Sequence, residues 1–269
     1  MRKFAKGFRI SLGEEVDGFI LKSRSSSCAV DDAKLFPGLE ADRHSARSSG
    51  FFAENILRRH SDTAIADETQ LGNTRYREYF FTHLFARADF RGTKRRVEKG
   101  ALARFHAENE FLLMAYSNKR FRGLGKISAG MDGGPFWRSL LRYERIFLEM
   151  LSRPPRRPSV VAVLKRCLEH LPKSVDGAGK DTLLGAMERY RRGGSSLGAV
   201  TRQMGKCLRG SGNSALRNQT FIEPYPGDLS DGGRPAPAVP SHGNSFQERT
   251  GAMRLSRNSA PTRARLFTA

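Results

Sequence analysis

Residues 101–122, ALARFHAENEFLLMAYSNKRFR, form the segment that decides the fold. Its apolar side chains recur at the spacing of one helix face: Leu102, Phe105, Leu112, Leu113 and Tyr116. Asn109 is the one polar step in this stripe, and most other positions carry residues that favour helix. The stretch therefore predicts one amphipathic helix that ends near Gly123 and Gly125. A basic run lies at its predicted C-terminal end, where cations complement the helix dipole: Lys119, Arg120 and Arg122.

Helical periodicity continues on both sides of this segment. Further helices are predicted at residues 54–60, 75–88, 136–151, 159–171, 181–192 and 197–208. A short strand is predicted at residues 16–21, before the first of these helices. We therefore expect a mainly α fold, in which a helical array is preceded by a small α/β region. Trp137, the only tryptophan, is interpreted as a core or edge residue of the array.

The composition predicts four successive parts of the chain. Residues 1–91 form the α/β region, residues 92–100 a basic connector, residues 101–226 the helical domain, and residues 227–269 a basic tail. The tail is rich in Gly, Pro, Ser and Arg, so it offers too little apolar surface to offset its chain entropy. We therefore expect the tail to be disordered.

The charge of the chain favours a polyanionic partner. The 269 residues carry a net charge of +20, and Lys and Arg side chains that neutralise phosphates release counterions. RNA, DNA or a nucleotide is therefore the expected partner. A solvated basic surface without any ligand would give the same composition, so this alternative stays open.

The three cysteines are Cys28, Cys167 and Cys207, and their spacing predicts neither a disulfide framework nor a zinc site. Unpaired cysteines favour a reducing compartment, so we expect the protein in the cytoplasm. No apolar run approaches the roughly 20 residues that span a bilayer, and the N-terminal residues lack the apolar core of a signal peptide. The oligomeric state is left open.

The segment FHAENEFLLMAYSNKRFRGLGK at residues 105–126 resembles the opening of the YbgA-like family, a domain of unknown function (number 1722). Three later pieces extend the resemblance: RYERIFLEMLSRPPRRPSVVAVLKRCLEHL, MERYRRG and NQTFIEPYP. The resemblance covers residues 101–226, with Glu110 and Tyr116 where the family carries Lys and His. The positions that match family motifs are Phe105, His106, Met114, Tyr116, Glu223, Pro224, Tyr225 and Pro226.

The strand-loop segment VDGFILKSRSSSCAVDDAK at residues 16–34 resembles a second family, the thiouracil-desulfidase-like proteins (domain of unknown function 523). The resemblance continues from GFFAENILRRHSD at residue 50 to residue 91. It implies an iron–sulfur cluster held by three cysteines and desulfuration of thiolated pyrimidines. Only Cys28 matches a cluster ligand, and the other two family cysteines would precede residue 1. We therefore interpret residues 1–91 as the C-terminal part of such a domain, and we expect no cofactor and no metal site.

No catalytic signature of the hydrolase, kinase or dinucleotide-binding type is present, so no catalytic residue is assigned. The best polar constellation combines one histidine with two basic clusters: His106, Lys119, Arg120, Arg122, Arg153, Arg156 and Arg157. Arg side chains in such a cluster would contact phosphates, and Tyr116 or Phe121 could stack on a base.

Three hypotheses follow from these residues. The first is a non-catalytic accessory module that binds nucleic acid or nucleotide through a basic helical surface. The second is a part of a pyrimidine-thione desulfurase-type enzyme that needs a separate iron–sulfur partner. The third is a degenerate protein without activity.

Overall fold

The computed structural model divides the chain into two units. The α/β unit comprises residues 1–88 and 232–269, and the helical unit comprises residues 89–231. The residues whose structure is described are 16–35, 46–130, 133, 135–172, 175–209, 214–229, 253–257 and 260–268. The structure is 65% helix, with a small sheet in the α/β unit, and the prediction of a mainly α fold is therefore confirmed.

The α/β unit contains a four-stranded sheet in the order β4-β1-β6-β5. β1 (Gly18–Leu21) lies parallel to β4 (Ala64–Asp67) on one side and parallel to β6 (Ala260–Thr268) on the other. β5 (Met253–Arg257) pairs with β6 in the antiparallel direction. A separate two-stranded ladder joins β2 (Ala33–Leu35) to β3 (Ala46–Ser48).

Three helices belong to this part of the chain. They are α1 (Phe51–Arg59), α2 (Glu68–Gly72) and α3 (Thr74–Arg96), and the boundary between the two units falls within α3. One buried cluster joins the sheet to α1 through Phe19, Ile56 and Phe267, and the rings of Phe19 and Phe267 lie 5.9 Å apart. The predicted strand at 16–21 and the helix at 54–60 are confirmed; the strand begins two residues later than predicted and the helix three residues earlier.

The prediction of a disordered tail differs from the structure at residues 253–257 and 260–268, which form β5 and β6. Leu266 and Phe267 are 4% and 3% exposed, and the backbone N–H of Arg265 donates to the carboxylate of buried Asp17 at 2.9 Å. These few apolar residues suffice because strand pairing with β1 satisfies the backbone. The prediction for residues 230–252 lies outside the described residues.

The helical unit continues with α4 (Lys99–Glu108), α5 (Glu110–Ser128), α6 (Phe136–Leu151), α7 (Arg157–Glu169), α8 (Gly177–Arg192), α9 (Leu197–Leu208) and the short α10 (Ser214–Arg217). α5 packs against α6 and α7, and α8 packs against α7 and α9. An aromatic cluster forms the core between α3, α4 and α6, with ring centroids 5.2 to 6.4 Å apart: Phe90, Phe105, Tyr143 and Phe147. The predicted helix at 136–151 is confirmed with the same bounds as α6.

The predicted connector at residues 92–100 is helical for most of its length. α3 runs to Arg96 and α4 begins at Lys99, so only Val97 and Glu98 separate the two helices. Val97 has a φ of 51° in the left-handed region, which ends α3 abruptly. Basic side chains did not signal a linker here, since Lys and Arg are good helix formers.

The prediction of one helix over residues 101–122 is also wrong. The chain breaks between α4 and α5 at Asn109, and α5 is kinked at Ser117, where φ is −166° and ψ is 108°. In a continuous helix the 15 residues between His106 and Phe121 would span about 22 Å, whereas their ring centroids are 5.0 Å apart. The break and the kink therefore fold the second half of α5 back towards α4. Gly123 and Gly125 lie inside α5 and do not end it.

The break at Asn109 is held by the segment that precedes the end of the helical unit. Gln219 donates its side-chain amide to the carbonyl of Ala107 at 2.8 Å and accepts the backbone N–H of Phe111 at 3.2 Å. Thr220 donates its backbone N–H to the carbonyl of Glu108 at 2.9 Å and its hydroxyl to Asn109 Oδ1 at 2.7 Å. These bonds satisfy groups that a helix end leaves without partners. Asn109, Gln219 and Thr220 therefore form a buried polar clamp.

We expect Asn109→Ala to destabilise the helical unit by about 1–3 kcal/mol, because it removes two buried hydrogen bonds, the 2.7 Å bond from the Thr220 hydroxyl and the 2.8 Å bond to the carbonyl of Phe105. Urea unfolding followed by far-UV circular dichroism measures this free energy. Asn118→Ala, at an exposed position of α5, is the matched control and should change it by less than about 0.5 kcal/mol. Equal effects of the two substitutions would contradict the role of the clamp.

Candidate nucleic-acid interface

The kink at Ser117 determines where the first basic cluster lies. Ser117 has extended backbone angles, and its hydroxyl oxygen accepts the backbone N–H of Arg120 at 3.3 Å. This is the geometry of an N-cap. Residues 118–128 therefore begin a new helical segment, and Lys119, Arg120 and Arg122 occupy its N-terminal part. The sequence placed these cations at a helix C-terminus, so that prediction is corrected.

Cations at a helix N-terminus do not gain stability from the helix dipole. The N-terminal end carries a partial positive charge and unpaired N–H groups, so it favours anions. Lys119 and Arg122 are exposed and have no ion pair within the described residues. Arg120 is neutralised in part, because it forms a 2.5 Å ion pair with Glu149 in the last turn of α6. The result is a local excess of positive charge.

The second basic cluster divides into two kinds of residue. Arg153 and Arg156 are exposed in the turn that follows α6, and neither has an ion pair among the described residues. Arg157 is instead half-buried at the start of α7, with its guanidinium 5.6 Å from the ring centroid of Tyr190. Gly193 ends α8 with a φ of 87°, a left-handed conformation that favours glycine, and a Cβ atom there would also lie 2.8 Å from Nη1 of Arg157. Arg157 thus packs α7 against α8.

The ion pair between Arg120 and Glu149 brings the two clusters towards the same end of α6. Glu149 lies four residues before Arg153, about one helical turn away along the chain. The exposed members common to this region are Lys119, Arg122, Arg153 and Arg156, which we call the basic end. Because salt bridges within the described residues do not compensate these four charges, the basic end can attract phosphates.

His106 lies at the edge of the same unit in a mostly apolar site. Its Nδ1 is 3.1 Å from the hydroxyl of Tyr143, and its ring stacks on Phe121 with an interplanar angle of 4°. Its Nε2 would be 3.2 Å from a Cβ atom at Gly125, so a glycine leaves room for the imidazole. Burial lowers the pKa of His106 below its ordinary value, because desolvation disfavours the imidazolium. His106 is therefore a neutral hydrogen-bonding group at pH 7 and adds no charge to the basic end.

The family-motif positions are mostly structural. Phe105, Tyr225 and Pro226 are buried, while Met114, Tyr116 and Pro224 are half-buried and Glu223 is exposed. Glu110, which replaces the family's Lys, lies 3.8 Å from Arg166 of α7 in an ion pair. Phe121 stacks on His106, so one of its faces is not available to a base. The closing segment NQTFIEPYP packs on the helices through Phe221, Ile222 and Tyr225.

The three cysteines lie on separate elements, Cys28 in the α/β unit and Cys167 and Cys207 in helices of the helical unit. Cys28 lies in the loop that follows β1 and is half-buried, with its Sγ 3.3 Å from the hydroxyl of Ser27. Cys167 is fully buried in α7, and burial raises the pKa of its thiol to about 12. All three are free thiols. Within the described ranges, no group of three or more His, Cys, Asp and Glu side chains is arranged to hold a metal ion.

The Cys28 loop is nevertheless tightly ordered by its neighbours. The carboxylate of Asp32 accepts the hydroxyl of Ser23 and the backbone N–H of Arg24, both at 2.8 Å. The carbonyls of Ser26 and Ser27 accept the first backbone N–H groups of α1. A Cβ atom at Gly50 would lie 2.4 Å from the carbonyl of Ser27, so only glycine permits this approach of loop and helix.

Comparison with known proteins assigns part of the helical unit. Residues 110–226 match the family model described as a protein of unknown function (DUF1722). The resemblance to this domain predicted at residues 101–226 is confirmed, with a start at residue 110. Phe105 and His106 lie outside the matched residues. No curated protein and no solved structure matches the chain.

The DUF1722 match begins at the first residue of α5 and ends with the buried closing segment. It therefore includes both Gln219 and Thr220 of the polar clamp. The desulfidase-like resemblance of residues 1–91 stays a prediction. In the part of the chain that the structure covers, no helix has both the length and the apolarity needed to cross a membrane.

One exposed set of side chains was missed by the sequence analysis. Trp137 is 54% exposed on α6, so of the two predicted alternatives, core or edge, the core position is excluded. Arg138, Arg142 and Arg145 lie on the exposed side of the same helix. Their i, i+4, i+7 spacing was a signal in the sequence, because it places three cations on one helix face.

We expect the NMR titration midpoint of His106 to lie below 6.5, the ordinary value for histidine. Because the folded pKa is lower than the unfolded one, the unfolded chain binds more protons below pH 6.5, and His106 lowers stability as the pH falls through that range. Phe121→Ala exposes the imidazole and should raise the midpoint towards 6.5. His83, whose pKa burial lowers to about 4 in the α/β unit, is the internal control. A His106 midpoint above 6.5, or one that Phe121→Ala leaves unchanged, would refute this environment.

Proposed function

We propose that the helical unit is a non-catalytic module that binds single-stranded RNA or DNA through the basic end. The observation that carries the proposal is that Lys119, Arg122, Arg153 and Arg156 are all exposed without an ion pair among the described residues. Lys and Arg that contact phosphates release counterions and so supply affinity. The position of Lys119 and Arg122 beside a helix N-terminus adds to the attraction of phosphate.

The charge of the helical unit supports the same proposal. Residues 89–231 contain 27 Lys and Arg residues and 14 Asp and Glu residues, a difference of 13 positive charges. Most of the chain's net charge of +20 therefore belongs to this unit. A field of this sign raises the local concentration of polyanions and speeds their association.

We expect the purified chain to bind a fluorescein-labelled 20-nucleotide RNA, with an affinity that falls steeply between 50 and 200 mM salt. Each lost phosphate contact lowers the slope of log affinity against log salt by about 0.7 for a single strand. Replacing Lys119, Arg122 and Arg153 together by Ala should therefore lower the slope by about 2. Fluorescence anisotropy across the salt series measures both affinity and slope.

The matched control replaces three other exposed cations of the same unit by Ala: Lys165, Arg209 and Arg217. It removes the same charge and should lower the slope by less than 1 if the basic end makes the contacts. Equal losses in the two triple variants would mean that bulk charge binds the RNA and that the basic end is not a site. Absence of salt-dependent binding would reject the proposed function itself.

We further propose that residues 1–91 belong to a desulfidase-like domain that would need a separate iron–sulfur partner for catalysis. The ordered loop that presents half-buried Cys28 after β1 favours this second candidate. Iron content and visible absorbance of the purified chain, before and after anaerobic reconstitution with iron and sulfide, test it. Because the chain supplies only one matching cysteine, we expect it to retain no iron on its own, and a cluster retained by the wild-type chain alone would contradict the need for a partner. Three free thiols also support a reducing compartment such as the cytoplasm.

A further inference from the structure

The outer face of α6 combines exposed apolar and cationic side chains in one strip. Trp137 and Leu141 are one turn apart and are 54% and 48% exposed. Arg138, Arg142 and Arg145 lie beside them on the exposed side, whereas Leu140, Tyr143 and Phe147 on the opposite side of the helix are buried. We call the five exposed residues the α6 strip.

The cations of this strip are not used by the fold. Arg138, Arg142 and Arg145 have no ion pair within the described part of the chain. The guanidinium of Arg138 lies instead 5.1 Å from the ring centroid of Trp137. This contact covers part of the indole and leaves more than half of the side chain exposed. Trp137 and Leu141 thus form a small exposed apolar patch rimmed by three cations, which is the arrangement of many ligand-binding surfaces.

We propose that the α6 strip is a stacking platform for single-stranded nucleic acid, in which Trp137 receives a base and Arg138, Arg142 and Arg145 contact the adjacent phosphates. Sequence-tolerant binders of single strands combine the same two features, an aromatic ring for a base and a positive track for the backbone. This inference rests on the proposed function and adds a base-contacting surface that the basic end lacks.

The geometry of α6 suits an extended nucleic-acid chain better than a single small anion. Arg138 and Arg142 are four residues apart and Arg145 is three further on, so successive cations advance by about 6 Å and about 4.5 Å along the axis. The three side chains therefore form a short row instead of a single cage. Such a row can follow consecutive phosphates, while Trp137 and Leu141 contact the less polar faces of the bases.

Charge complementarity favours this occupant over a second copy of the chain. The exposed strip carries three positive charges and no acidic residue among its five members, so two copies of it would repel each other. An acidic peptide would satisfy the arginines but would offer a ring to the indole only where it carries an aromatic side chain, whereas every nucleotide carries one. Nucleic acid supplies both phosphates and aromatic faces.

The protein reports on this site directly, because Trp137 is its only tryptophan. We expect unlabelled oligo(U) of 12 nucleotides to quench the intrinsic fluorescence of the full chain, with the same midpoint as anisotropy of the labelled strand. Trp137→Ala should weaken binding by roughly 5- to 150-fold, as for other base-stacking aromatics. Trp137→Phe retains a ring and should lose much less.

Two further variants separate stacking from other effects. Phe51→Ala removes an aromatic side chain that is 57% exposed in the α/β unit, and it should leave the affinity unchanged. Replacing Arg142 and Arg145 together by Ala should lower the salt slope by about 1.4. Circular dichroism of each variant checks that the fold is retained.

The outcomes distinguish this inference from the proposed function. Binding that is lost in the Lys119, Arg122 and Arg153 variant but causes no quenching, and is unchanged by Trp137→Ala, overturns the stacking platform and leaves the basic end in place. Absence of any binding rejects both. If Trp137→Ala converts a dimer to a monomer in sedimentation without changing RNA affinity, the strip is a contact between copies and the inference is wrong.

Discussion

The hydrogen bonds that Gln219 and Thr220 make around Asn109 are the constraint on which the helical unit depends. A break in a helix leaves carbonyl groups on one side and N–H groups on the other without partners, and Asn109 is 1% exposed. Gln219 serves both sides, since it donates to Ala107 and accepts from Phe111. Without these bonds each buried group would cost about 1–3 kcal/mol, and a straight helix would be the better solution for this apolar stripe.

The reversal of the chain after this break creates the surfaces that bear on function. It stacks Phe121 on the ring of His106, and His106 in turn lies within hydrogen-bond distance of Tyr143 in the aromatic core. It also allows Ser117 to begin a new helical segment. The basic run therefore lies at a helix N-terminus, where the helix dipole disfavours cations, and not at a C-terminus, where it would stabilise them. Positive charge concentrated at a helix N-terminus is a cost to the folded protein, and a bound phosphate would offset it.

Local periodicity was sufficient to predict helices whose backbone hydrogen bonds all lie within the helix; α6 has the same bounds as its predicted helix. It failed at Asn109, because one polar residue in a stripe is equally compatible with a continuous helix, and the groups that stabilise the break are more than 100 residues away. The basic residues of the site were predictable from composition. Which of these cations are exposed and unpaired was not predictable, because the ion pair of Arg120 and the stacking of Arg157 on Tyr190 depend on tertiary contacts.

The parallel pairing of β6 with β1 has a consequence for biosynthesis. The hydrogen bond between Arg265 and Asp17 closes a loop of 248 residues, whereas the helical unit is one continuous stretch of chain. On the ribosome the helical unit can therefore fold while the last strands are still within the exit tunnel. The α/β unit can complete its sheet only after residues 260–268 have emerged. Until then one edge of β1 is unpaired, and the strands already made must avoid aggregation.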